Sequence, residues 1–106
     1  MNYTVPHAEL RAPEDSMTTL HGRFPEKPFE NPKADARPTG ASPELPTLGY
    51  RSQPEPHAAF AAMIVRMDSD IGRIVEAVHA RGADRQTLIV FTSDNGVHQG
   101  EHRRYT

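Results

Sequence analysis

The sequence predicts a piece of an α/β layer fold: a strand end, a long proline-rich loop, one long helix and one buried strand. Three observations carry that expectation. A single apolar stripe recurs at helical spacing from Phe60 to Val78. A continuous apolar run follows it, from Leu88 to Phe91. All ten prolines fall between Pro6 and Pro56, so the chain has two unlike halves and only the second reads as core-forming sequence.

The elements follow in order. Met1 to Val5 is short and β-prone, and Pro6 stops it; this is the strand end, with His7 just beyond. Residues 11–53 show no sustained period of 2 or 3.6 and are broken by proline too often for a helix or a central strand. A segment that long without structure of its own is expected to be a functional binding loop, a disordered segment or a sign that neighbouring elements are missing, with Phe24 and Phe29 as anchors. A helix is expected over 54–82. Its stripe is Phe60, Met63, Ile64, Met67, Ile71, Ile74, Val75 and Val78. Ser52 with Glu55 reads as a capping box, Pro54 suits the first turn, and Gly82 suits the position after the C-cap. Gly72 sits mid-helix and costs about 1 kcal/mol relative to alanine. A close approach to a neighbouring element would account for it. A strand is expected over 86–93. Its apolarity is continuous rather than alternating, the pattern of a strand covered on both faces.

Composition narrows the function classes. The chain has 106 residues, a net charge of −2 and 36% apolar residues, with a mean hydropathy of −0.68. No basic stripe or polybasic block is present, which argues against a nucleic-acid or anionic-membrane surface. There is no cysteine, so disulfides, Cys-ligated zinc and a cysteine nucleophile are excluded, while the compartment stays open. No apolar run reaches membrane-spanning length, and no charged segment precedes an apolar one in the manner of an export signal.

The chemistry concentrates at "FTSDNG", residues 91–96. In open α/β sheets, ligands gather beyond the carboxyl ends of the strands. Asp94 and Asn95 stand at such an end and both offer hard oxygen atoms, which calcium and magnesium prefer. Asp-Asn-Gly is equally good turn chemistry, and the residues alone leave both readings open. His7, after a strand and a proline, suits a hydrogen bond to an anion or a proton donated to a leaving group; a lone histidine also suits a surface position. His57, His79, Asp68 and Asp70 are expected on the solvated side of the helix. His98, His102, Arg103 and Arg104 suit either an anion site or a frayed end.

"YTVPHAELRAPED", "AAMIVRMDSDIGRIVEAV" and "TLIVFTSDNG" together resemble, in order and spacing, the middle of type I sulfatases of the alkaline-phosphatase-like superfamily, and bacterial arylsulfatase-like enzymes most of all. The likeness covers residues 3–15 and about 58–98, with a looser one in "HGRFPEKPFE". It implies a partial three-layer α/β sandwich of the alkaline-phosphatase-like type, and an internal fragment of a sulfatase catalytic domain over 1–106. It implies hydrolysis of sulfate esters, on a sulfated small molecule or glycan, with bound Ca2+ (or Mg2+). Asp94 and Asn95 become metal ligands and His7 a catalytic residue contacting the sulfate or the leaving oxygen. The loop 11–53 would lie over the substrate pocket. Family members are commonly periplasmic or extracellular.

The departures are equally specific. The family makes its formylglycine nucleophile from a Cys/Ser-x-Pro-Ser-Arg motif. The nearest stretch here, Ser52-Gln53-Pro54-Glu55-Pro56, lacks the Ser-Arg ending. The family's N-terminal acidic pair is missing, and "HQGEHRRYT" departs from its Gly-Gly and lysine continuation. The chain alone is therefore expected to be inactive. Two rival readings are a phosphodiesterase or phosphatase of the same superfamily, and a non-catalytic truncated or interaction product.

Overall fold

The computed structural model describes residues 2–7, 9–36 and 50–98. Two one-turn helices, α1 (Glu14–Met17) and α2 (Pro32–Asp35), precede a 25-residue helix, α3 (Pro56–Ala80), and a 3₁₀ turn follows at Asp84–Gln86. Phe29 and Gln53 form an antiparallel bridge, with N–H to carbonyl distances of 2.9 and 2.8 Å.

Helix α3 begins where proline allows. Pro56 fixes its own φ at the first helical position and excludes the preceding residue from helical geometry; Glu55 has φ −128° and ψ 68°. That overturns the capping box. The Glu55 N–H, which Ser52 would have accepted, turns instead to Gln53 Oε1 at 3.2 Å. Ser52 fastens the loop: its hydroxyl accepts from the Asn31 N–H at 2.6 Å and donates to Asp35 Oδ2 at 2.5 Å.

The cap comes from 31 residues upstream. Glu26 accepts from the N–H groups of His57 at 3.0 Å and Ala58 at 2.8 Å. A carboxylate there satisfies two orphan donors and faces the positive end of the helix dipole. Glu55 answers in the opposite direction. It accepts from the Gly22 N–H at 2.9 Å and pairs with His21 Nδ1 at 2.5 Å. The loop and the helix head thus each hold the other by a carboxylate. His57 belongs to this junction rather than to a solvated face: its Nδ1 lies 3.1 Å from the Pro25 carbonyl and 3.3 Å from Glu26.

The other end of α3 is as expected. Gly82 has φ +61°, its N–H donates to the His79 carbonyl at 2.8 Å, and the Ala83 N–H donates to that of Val78 at 3.2 Å. This is a Schellman closure. His79 also pairs with Asp84, and Asp70 with Arg73 at 3.2 Å, while Asp68 is exposed.

The core sits on the first half of α3. Ala58, Ala59 and Ala62 are fully buried against Met17, with Leu10, Ala12, Leu20 and Phe24 packed around them. Alanines let α1 approach the helix closely. Phe24 is therefore an anchor as expected, and Phe29 is half-buried at the bridge. The described parts of 11–53 are not structureless: they form two helical turns and dock on α3.

The second half of α3 is less covered. Ile71, Val75 and Val78 are half-buried and Ile74 is exposed. Beyond it the expected buried strand over 86–93 does not form. Leu88, Ile89, Val90 and Phe91 are 88%, 54%, 74% and 72% exposed. A strand buried on both faces needs neighbours beside it and layers above and below. The described residues supply no strand, the stretch 2–5 included, so the sandwich is not assembled among them and what they form is mainly helical.

Gly72 makes no close approach, because a methyl group placed there would meet nothing within 4 Å. Gly72→Ala is expected to stabilise the chain by about 1 kcal/mol, read as a higher midpoint in thermal melts followed at 222 nm. Glu26→Ala is expected to cost about 1–2 kcal/mol through the lost cap. Glu76→Ala, on the exposed face of α3, should stay within about 0.5 kcal/mol in the same melts.

Candidate functional site

His7, Glu9 and Arg11 line one open cleft of about 350 Å³, together with Thr4, Val5 and Met63. Met63, 4% exposed, reaches it from α3. Glu9 holds the wall in place: its carboxylate accepts from the Arg51 N–H at 2.8 Å and pairs with Arg11 Nε at 3.1 Å. Gln53 Nε2 donates to the Leu10 carbonyl at 2.6 Å. The segment 9–11 is thereby stitched to 51–53. An exposed imidazole and an exposed guanidinium on one rim suit an anionic ligand.

Asp94 and Asn95 stand elsewhere. They lie in an exposed bend after the apolar run and do not line the cleft. The Ser93 hydroxyl donates to the Asn95 carbonyl at 2.6 Å, which is local turn chemistry. Gly96 stays outside the left-handed region, so this turn does not require glycine. The two side chains offer the hard oxygen atoms that calcium prefers, but calcium takes six to eight oxygens. Among the described residues no three or more His, Asp or Glu side chains converge to hold a metal. The donors present therefore do not make up a calcium site by themselves. His98 is exposed, and His102, Arg103 and Arg104 lie outside the described residues.

Comparison with known proteins decides the family. A family model described as Sulfatase matches residues 6–106. The chain belongs to the sulfatase family. Among curated sulfatases, the arylsulfatase of Klebsiella aerogenes is 27% identical over 117 aligned positions, covering 93% of this chain and 25% of that protein. An uncharacterized sulfatase of Schizosaccharomyces pombe is 27% identical over 115, covering 90% of this chain and 21% of its own length. The steryl-sulfatase of Mus musculus is 40% identical over 45 residues, covering 42% of this chain and 7% of that one. The chain thus spans about a quarter of the first two sulfatases. No solved structure gives a significant match. The sulfatase family implies an alkaline-phosphatase-like α/β fold and generally uses calcium and formylglycine.

Of the residues lining the cleft of this sulfatase chain, the sequence singles out His7 as a candidate and gives no local signal that Glu9, Arg11 and Met63 lie beside it. Ser52 follows Arg51, whose N–H holds the wall residue Glu9. Its hydroxyl, and then its N–H at 2.8 Å, hold the Asp35 carboxyl below the usual carboxylate range. The depressed value means that this contribution to stability is present above about pH 4 and is lost as pH falls through the folded value. Ser52→Ala is expected to move the Asp35 titration up toward about 3.9 and to leave α3 helicity unchanged, read by carboxyl-carbon NMR and far-UV dichroism.

Proposed function

We propose that this chain is an internal part of a sulfuric ester hydrolase of the arylsulfatase type, and that it supplies one wall of the substrate cleft and part of the metal-ligand set. The carrying observation is the anion-suited rim of His7 and Arg11, in a chain whose family match runs over residues 6–106. In this reading His7 contacts the sulfate or protonates the leaving oxygen. Asp94 and Asn95 contribute hard oxygens to a divalent cation whose other ligands come from outside the described residues. The formylglycine nucleophile also lies outside, since the chain has no cysteine and no Cys/Ser-x-Pro-Ser-Arg motif. The substrate is a sulfated small molecule or glycan.

The same reading gives Leu88–Phe91 a place. An uncharged, β-prone run of high exposure is what one strand of the family's layered fold looks like when its sheet neighbours are not beside it. In the complete sandwich the run would be covered on both faces, and Asp94 would follow its carboxyl end. A second reading is supported by the same exposure: a truncated, non-catalytic product left with an uncovered apolar segment. No helix among the described residues is long and apolar enough to cross a membrane.

The test begins at the gene. The reading frames on both sides of codons 1 and 95 are sequenced, and the continuous product is expressed and assayed on p-nitrophenyl sulfate with calcium. Upstream Cys/Ser-x-Pro-Ser-Arg and downstream Gly-Gly with lysine are expected. Asp94→Ala and Asn95→Ala should each lower kcat/KM by about a hundredfold or more, and His7→Ala by a similar factor. Absence of both flanking motifs, or faster hydrolysis of p-nitrophenyl phosphate, would overturn the assignment.

A further inference from the structure

The junction between the loop and the head of α3 holds two imidazoles: His57, beside Glu26, and His21, which lies between two carboxylates. His21 Nδ1 lies 2.5 Å from Glu55 Oε2, and its Nε2 lies 3.5 Å from Glu14 Oε1. Glu14 comes from α1 and Glu55 from the N-cap of α3, and these two carboxylates are the charged groups that act on the ring. Glu55 also accepts from the Gly22 N–H. Gly22 has φ +67°, so the chain reverses there in a conformation glycine adopts freely.

We propose that His21 is a pH-sensitive latch: its protonated ring clamps the α1 turn and the reversal at Gly22 onto the head of α3, and its loss of a proton releases segment 21–26. The proposal stands on the cluster of three side chains and does not depend on the sulfatase reading.

The direction follows from the partners. Hydrogen bonding to Glu55, then to Glu14, raises the affinity of His21 for its proton. The Gly22 N–H first, and the imidazole second, hold Glu55 below the usual carboxylate range. A raised histidine stabilises the folded arrangement fully below about pH 6.5 and loses that contribution as pH rises through its folded value. A depressed glutamate stabilises it above about pH 4.3 and loses that contribution as pH falls through its own. The latch is therefore closed between these limits and opens on the alkaline side first. Glu26, which holds the other side of the junction, keeps segment 21–26 tethered at its far end.

The test uses the full chain and a reporter inside the latched segment. Trypsin cuts after the exposed Arg23 once Phe24 leaves its packing on the core, while Lys27 is shielded as a site by Pro28. Cleavage between residues 23 and 24 is measured from pH 6 to pH 8.5 and normalised to a free peptide of residues 21–27. The expected result is a several-fold rise with pH in the native chain, a flat profile in His21→Gln, and a His21 ring resonance that titrates above about 6.5 together with the Gly22 amide. A His21 titration at or below that value, a Gly22 amide that does not follow it, or an equal rise in His21→Gln would overturn the latch. Glu55→Gln gives a second check: it should lower the His21 titration while keeping a hydrogen-bonding side chain at the N-cap.

Discussion

Two carboxylates cross between the proline-rich segment and the head of α3, and the described structure hangs on that exchange. Glu26 leaves the loop to satisfy the N–H groups of His57 and Ala58. Glu55 leaves the helix to satisfy Gly22 and His21. A helix that starts at Pro56 has lost one donor to proline and makes no cap bond with its own N-cap side chain. The remaining first-turn donors must be met from elsewhere. Once Glu26 meets them, the loop is registered on the helix. Phe24, Leu20 and Met17 then fall onto the alanine face at 58, 59 and 62. Burial supplies most of the free energy there, and the charged hydrogen bonds fix which surfaces meet.

The same registration builds the cleft. With Gln53 bridged to Phe29 and bonded to Leu10, the wall residues His7, Glu9 and Arg11 are carried to the side of Met63. The residues that line the cleft are therefore held by contacts made outside it. At the opposite end of the chain, Asp94 and Asn95 have no comparable support. They follow an exposed apolar run, and a divalent cation would need donors that the described residues do not bring together.

How much was legible in the sequence divides by range. The body and the C-terminal end of α3 were legible, because a helical stripe and a Gly after the last turn are local signals. Family membership was legible from three short motifs in order, and the structure brings His7 to the cleft while leaving Asp94 and Asn95 away from it. The cap was not. Ser52 and Glu55 carry a valid local signature, but Pro56 holds Glu55 out of helical geometry and both N–H groups the box needs go elsewhere, that of Glu55 to Gln53 and that of Ser52 to Asp35. The true partner, Glu26, is 31 positions away, where no periodicity points. The strand over 86–93 failed for the converse reason. Its pattern describes what must surround it, and sheet neighbours are absent among the described residues.

Amide hydrogen exchange at His57, Ala58 and Gly22 tests the exchange of carboxylates most directly. The first-turn amides of a helix have no intrahelical partner, so protection at His57 and Ala58 can only come from outside the helix. The account predicts that all three amides exchange slowly, with protection comparable to the interior of α3. Exchange of these three at the rate of an unstructured chain, while the α3 interior stays protected, would contradict it.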